Sequence, residues 1–253
     1  MQAYNARFAR LYNLRWGDFA QRFAPLIREL YESTPLGQAN HTLLDLCCGA
    51  GHLAVHFLEA GYHVVGLDAS EPILVYAREN AGRFLATGQA RFVQGDAAAF
   101  VLDERFGLVV STYDALNHLP DEQALQQCFR CVFPLLEEGG LFVFDLNTRL
   151  GLRRWANMTV DDGSEECLLI TRGVYDPTGG KAWTQITGFV REEDGRYSRV
   201  DQTAFNTVFD LQWVKSALLE CGWRTVYFAR GLDLKTPVED AEQLGRVFAI
   251  AGK

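Results

Sequence analysis

The residues best suited to chemistry lie between Asp45 and His118. Asp45 stands near the end of an apolar run, Leu43-Leu44-Asp45-Leu46, and a turn carrying Gly49 and Gly51 follows it. Asp68 closes a second apolar run over 62–67. A carboxylate at the end of such a strand can accept both hydroxyls of a ribose, while glycines in the preceding turn let the backbone approach a ligand. Asp45 restricts that ligand further, because it repels a pyrophosphate and attracts an ammonium or a sulfonium. Further along, Ser111, Thr112, Tyr113, Asp114, Asn117 and His118 gather polar chemistry behind a third apolar run. Histidine titrates near neutrality as a residue type, so His118 could take a proton from a nucleophile, with Tyr113 as the second candidate for a catalytic centre. A helix-capping or core histidine is the competing reading.

The hydrophobic pattern supplies the elements that would hold these residues. Leu43–Asp45 reads as a strand, His52–Ala60 as a helix and 62–67 as a second strand, which together form one βαβ unit with a crevice beyond its carboxyl ends. Ser70 and Pro72 open another helix. Ala90–Gln94, Phe106–Ser111 and Leu141–Asp145 read as strands three to five. A helix is expected over Pro120–Leu136, stopped at Gly139-Gly140. Asp145 and Asn147, at a strand end, are possible substrate contacts. Thr148–Phe209 alternates as antiparallel β over 167–175, 182–192 and 197–208. The last helix is expected over 211–220, with late strands over 225–229 and 245–250. In residues 1–31, Tyr12 and Trp16 lie on a helical apolar face, which either packs on the domain or covers the ligand, where aromatic rings would attract a sulfonium.

The stretch Asp45-Leu46-Cys47-Cys48-Gly49-Ala50-Gly51 resembles the first motif of the class I S-adenosylmethionine-dependent methyltransferases. The resemblance implies a Rossmann-like doubly wound α/β sheet of seven strands, the last antiparallel. It also implies S-adenosylmethionine as cofactor, bound by Asp45 at the methionine end, by Cys47, Gly49 and Gly51 in the turn, and by Asp68 at the ribose. Ala69 and Ser70 would line the adenine, with Asp96 and Ala97 reading its edge and Ser111 nearby; Asp96 as a helix cap is the alternative. The variable parts would be an N-terminal helical cap, 1–42, and an inserted antiparallel sheet, 148–209, around a core of 43–147 and 210–253. Trp183, Gln185, Arg199, Gln202 and Phe205 are the expected substrate-side wall residues, unless the insertion is an edge sheet or a dimer contact. Gly49, Gly51 and Ala54 also satisfy a dinucleotide fingerprint, so a nicotinamide oxidoreductase is one rival, and a noncatalytic cofactor-binding protein is another.

Composition narrows the acceptor. A formal charge of −8 over 253 residues disfavours nonspecific nucleic-acid or anionic-membrane binding, and 48% hydrophobic content supports a globular core. No run reaches the roughly 20 apolar residues of a membrane span, and the N-terminus lacks a signal-peptide core, so a cytoplasmic monomer or homodimer acting on a small molecule is expected. Cys128 and Cys131 form a CxxC without a second metal-ligand pair, which reads as buried thiols and leaves no metal site.

Overall fold

A computed structural model describes residues 4–161 and 165–253. The chain opens with helices α1 (Ala6–Arg15), α2 (Asp18–Glu32) and α3 (Pro35–Ala39), then alternates through β1 (Thr42–Leu46), α4 (His52–Glu59), β2 (His63–Asp68), α5 (Glu71–Asn80), α6 (Gly82–Ala86), β3 (Ala90–Gln94) and β4 (Phe106–Ser111). Helix α7 (Glu122–Val132) leads to β5 (Leu136–Asn147), and α8 (Arg149–Arg153) follows. Four strands come next, β6 (Met158–Asp161), β7 (Cys167–Asp176), β8 (Lys181–Arg191) and β9 (Tyr197–Thr207). The chain closes with α9 (Leu211–Cys221), β10 (Thr225–Arg230), β11 (Asp233–Pro237) and β12 (Arg246–Gly252).

The main sheet runs β11-β10-β12-β5-β4-β1-β2-β3. Strands β3, β2, β1, β4 and β5 are parallel, and β12 lies antiparallel between β5 and β10. Seven of these strands are the expected doubly wound set. The eighth, β11, pairs antiparallel with β10 at the edge. It is a short, mostly exposed strand, Asp-Leu-Lys-Thr-Pro, whose weak alternation hides it in the sequence.

Alternation along β1 shows how the layers form. Leu43 faces a core shared with Phe23, Ile27, Leu53 and Phe57 of α2 and α4, whereas Leu44 and Leu46 face a core shared with Leu125, Phe129, Val214 and Leu218 of α7 and α9. Both faces are covered, so the parallel strands are apolar on both sides and read as continuous runs. Helix α7 ends four residues before the expected stop. Pro134 lacks the backbone N–H that would continue the helical ladder, so although Phe133 keeps helical dihedrals a 3₁₀ turn over Phe133–Leu135 replaces the last helical turn. Strand β5 therefore begins at Leu136 and absorbs Glu137–Gly140, with Gly139 at φ +82°.

The inserted strands form a second, wholly antiparallel sheet in the order β6-β7-β8-β9. Three of them match the expected segments, and β6 is additional. Both the aromatic face of α1 and the end of β9 pack towards the carboxyl edge of the main sheet, which places a cavity between the two sheets.

Candidate functional site

Four aromatic rings stand at four-residue intervals on the N-terminal segment: Tyr4, Phe8, Tyr12 and Trp16. That spacing puts them on one side of α1 and its approach. Tyr12 stacks on Trp16 with ring centroids 5.5 Å apart and on Tyr4 at 5.9 Å, and all four line a cavity of about 310 Å³. Tyr4 is pinned there because Ser70 Oγ donates to its carbonyl at 3.0 Å and accepts from its amide at 3.2 Å. The sequence reading found Tyr12 and Trp16; the four-residue spacing was the available signal for the other two.

The turn after β1 forms the opposite wall. Cys47 and Gly49 both have positive φ, and a side chain at Gly49 would place its Cβ 3.1 Å from the Tyr12 ring. A residue with a side chain would therefore close the space between turn and ring. Asp68 sits at the end of β2, where one carboxylate oxygen accepts from the Gly49 amide at 3.0 Å and the other from the Ser70 amide at 2.9 Å. Each oxygen keeps a second lone pair, an arrangement suited to a vicinal diol. Burial raises the Asp68 pKa although these amides pull it down.

Asp45 lines a smaller adjoining cavity with Tyr12, Trp16, Cys47 and Tyr113. It is 2% exposed, and Oδ2 has no hydrogen-bond partner. Burial, reinforced by Asp68, raises its pKa to about 7. A buried carboxylate oxygen without a donor is costly alone and favourable beside a cation. The ammonium end of S-adenosylmethionine fits that requirement, as its ribose fits Asp68 and its thin chain fits the Gly49 turn.

The turn after β4 forms the third wall. Tyr113 and Asp114 have φ of 66° and 49°, a left-handed pair that L-residues rarely adopt. Asp145 holds both in place by accepting from the Tyr113 amide at 2.5 Å and the Asp114 amide at 3.0 Å. Arg246 bridges Asp145 and Asp114, and Asn206 Nδ2 donates to the other Asp114 oxygen at 2.7 Å. Burial raises the Asp145 pKa to about 6 against the opposing pull of Arg246. Burial likewise works against the Arg246 charge, but Asp114 and Asp145 more than offset it. Asp145 and Asn147 are thus buried structural partners and not cavity contacts. Tyr113 lines the cavity, its ring stacked on Phe19 at 4.5 Å, and burial pushes its hydroxyl up to about 12.

His118 also lines the cavity, and its Nδ1 lies 2.5 Å from the Phe205 carbonyl of β9. Among the expected wall residues, Phe205 does not line the cavity but meets His118 through this carbonyl and through its ring, edge-on at 6.5 Å between centroids. Trp183, Gln185, Arg199 and Gln202 do not line the cavity; Thr184, Ile186, Ala204, Asn206, Thr171 and Gly173 do. Side chains alternate across a strand, so Trp183 and Gln185 point away from the face that carries Thr184 and Ile186, whereas Gln202 shares the face of Ala204 and Asn206 but lies beyond the cavity. Attention to large aromatic and polar residues selected the wrong face of β8.

Six expected contacts line neither cavity. Ser70 is buried and holds Tyr4, while Gln94 donates to the Ala69 carbonyl at 3.0 Å. Asp96 is exposed at the end of β3, where Oδ1 accepts from the Ala98 amide at 2.9 Å, and Ala97 is buried beside it. The turn at 96–99 is not a helix, so Asp96 caps a turn. Gly51 caps α4 at φ +74°, packed against Ala77. Ser111 is fully buried beside Cys47. Cys128 packs in the core with α7.

Residues 43–140 match a family model described as a methyltransferase domain. A putative methyltransferase from Geobacillus sp. (strain WCH70) is 28% identical over 217 residues, covering 85% of this chain and 86% of that protein. The crystal structure of an S-adenosylmethionine-dependent methyltransferase from Clostridium acetobutylicum ATCC 824 aligns with a TM-score of 0.79 at 21% identity, over 97% of each chain. Residues 43–140 are thus similar to a methyltransferase domain, on a fold shared with S-adenosylmethionine-dependent methyltransferases. The fold also aligns with S-adenosylmethionine-bound CalS10 from Micromonospora echinaspora, an amino pentose methyltransferase, with a TM-score of 0.72 at 18% identity over 100% of this chain and 98% of that one. Among the described residues, no helix is long and apolar enough to cross a membrane.

Proposed function

We propose that the protein is an S-adenosylmethionine-dependent methyltransferase that methylates an amine nitrogen or a hydroxyl of a small polar molecule such as an amino sugar. The observation that carries this reading is the cavity itself. Asp45, Gly49 and Asp68 suit a cofactor on one wall, Thr171 and Thr184 offer neutral polar contacts on the other, and Tyr113 and His118 stand between. A volume of about 310 Å³ suits a ligand of small-molecule size. Arg246 reaches the cavity but is committed to Asp114 and Asp145, which leaves it poorly suited to hold an anionic acceptor. The solved relative CalS10, an amino pentose methyltransferase, supports the same acceptor class.

The cofactor supplies an electrophilic methyl on a sulfonium. The residues of this chain supply position and a route for one proton. Asp68 holds the cofactor at its ribose and Asp45 at its ammonium, and the aromatic ladder of α1 excludes water from above. Holding the acceptor in line with the methyl converts a bimolecular encounter into a unimolecular step, which lowers the barrier by up to about 7–11 kcal/mol. His118 takes a proton from the acceptor's ammonium form, so that the electron pair of that N–H bond becomes the attacking lone pair of the neutral amine.

Isothermal titration with S-adenosylhomocysteine and NADH, followed by a screen of amino sugars for mass gain, tests the reading. Tight binding of the adenosyl ligand and methylation of an amine support it. Binding of NADH instead overturns the cofactor, and binding without turnover across amines and alcohols favours a noncatalytic cofactor-binding protein.

A further inference from the structure

The contact between His118 and the inserted sheet has a definite chemical content. A carbonyl oxygen can only accept, so His118 Nδ1, at 2.5 Å from the Phe205 carbonyl, must carry hydrogen. In a neutral ring the lone pair then lies on Nε2. No buried, unpartnered atom is found on His118, although such atoms are found on His52 and His56, so Nε2 is not walled in as theirs are. The His118 side chain lines the cavity.

The Phe205 contact is one of a row. Asn206 Nδ2 donates to Asp114 at 2.7 Å, Thr207 Oγ1 donates to the Leu119 carbonyl at 2.6 Å, and the Thr207 carbonyl accepts from Asn117 at 2.9 Å. Lys181 of the adjacent strand adds a hydrogen bond to the Pro120 carbonyl at 2.7 Å, with its ammonium 4.7 Å from the Phe205 ring centroid. Three successive residues of β9 therefore clasp the segment 114–120, and none of their side chains needs to touch the acceptor to do so.

We propose that the end of β9 is the positioning element of the active centre: the Phe205 carbonyl fixes His118 as the Nδ1–H tautomer and so presents Nε2 to the cavity as a proton acceptor. This rests on the reading of the cavity as a methyl-transfer site. The proton leaves the acceptor's ammonium nitrogen for Nε2, the N–H bond breaking as the Nε2–H bond forms and its electron pair staying on nitrogen. A second consequence is that the inserted sheet acts on the chemistry as well as on acceptor shape, through a backbone atom that side-chain variation along β9 leaves in place.

Nitrogen-15 NMR of the histidine rings tests this without an acceptor. His118→Gln assigns the His118 signals by their loss. The proposal expects a protonated Nδ1 and an unprotonated Nε2 in neutral His118, and a predominant Nε2–H tautomer overturns it. Two ligands test where Nε2 points. Sinefungin carries an amine where S-adenosylmethionine carries its methyl, and S-adenosylhomocysteine carries nothing there. The Nε2 signal is expected to move towards the protonated range with sinefungin and to stay near its unliganded position with S-adenosylhomocysteine. Equal shifts with both, or none with either once bound, overturn the claim that Nε2 faces the transfer point. Absence of binding by both ligands in calorimetry would instead count against the methyltransferase reading, and the tautomer of the unliganded protein would still decide the positioning claim.

Discussion

Asp45 stands where the cost of a buried charge and the needs of a cationic ligand meet. Its carboxyl is raised from 3.8 to about 7 by burial, with Asp68 adding to the shift. Folding therefore favours the protonated form: this group's contribution to stability is complete below about pH 4 and is lost as pH rises through about 7. A ligand ammonium reverses the preference, because it needs the ionised carboxylate. Affinity for S-adenosylhomocysteine should accordingly rise with pH up to about 7 and then level, changing by at most ~tenfold per unit below that point. Calorimetry from pH 5.5 to 8.5 would show the slope, and Asp45→Asn should flatten that part of it while weakening binding. Asp68→Ala should cost more, because it removes the acceptor for a diol and releases the amides of Gly49 and Ser70 together. Losing charged-acceptor hydrogen bonds of about 1.5–3 kcal/mol each predicts at least a tenfold weaker complex in the same titration.

At the scale of elements, two patterns decide the shape of the cavity. The four-residue ladder on α1 covers the glycine turn so closely that Gly49→Ala should be unfavourable twice. Its φ of +54° costs an L-residue about 1–2 kcal/mol, and the new Cβ would sit 3.1 Å from the Tyr12 ring. Reduced cofactor affinity with a small fall in Tm is the expected outcome, measured by calorimetry beside thermal melting. The second pattern is the two-residue alternation of β8 and β9. Ala204 faces the cavity and Trp183 faces away. Ala204→Leu should fill acceptor space, raising KM for an accepted amine several-fold while S-adenosylhomocysteine binding stays near wild type. Trp183→Ala should leave KM essentially unchanged. The opposite ranking in steady-state kinetics would reject the assignment of the two faces.

At the scale of the whole molecule, one buried network ties the two sheets together. Asp145 on β5 holds the left-handed turn at Tyr113 and Asp114, Arg246 on β12 bridges both carboxylates, and Asn206 on β9 completes the set. Removing one partner strands the others, so Arg246→Met should destabilise the protein by about 3–5 kcal/mol. At roughly 2–4 °C per kcal/mol for a chain near this size, differential scanning calorimetry should record a fall on the order of 6–20 °C. The charge balance also sets the direction with pH: Asp145 is raised to about 6, so losing Arg246 should harm stability more above pH 6 than below it.

The sequence by itself determined the core and the cofactor. The order of apolar runs, glycine turn and strand-end acids marks a parallel sheet with a ligand crevice, because these signals are local: strands buried on both faces read as runs, and a turn needing positive φ reads as glycine. Asp45, Gly49, Asp68, Tyr12, Trp16, Tyr113 and His118 were legible for that reason, and six of them meet in the main cavity while Asp45 lines its extension. The tertiary structure alone decided the rest. Arg246 lies far along the chain from Asp114 and looks like an ordinary strand-end arginine until the antiparallel insertion of β12 sets it beside β5. Which face of β8 turns inward depends on how a whole sheet docks, since a strand with mixed residues on both faces specifies its pleat but not the side that is covered. The proton on His118 is settled by a backbone carbonyl, and a carbonyl carries no residue identity that a sequence could display.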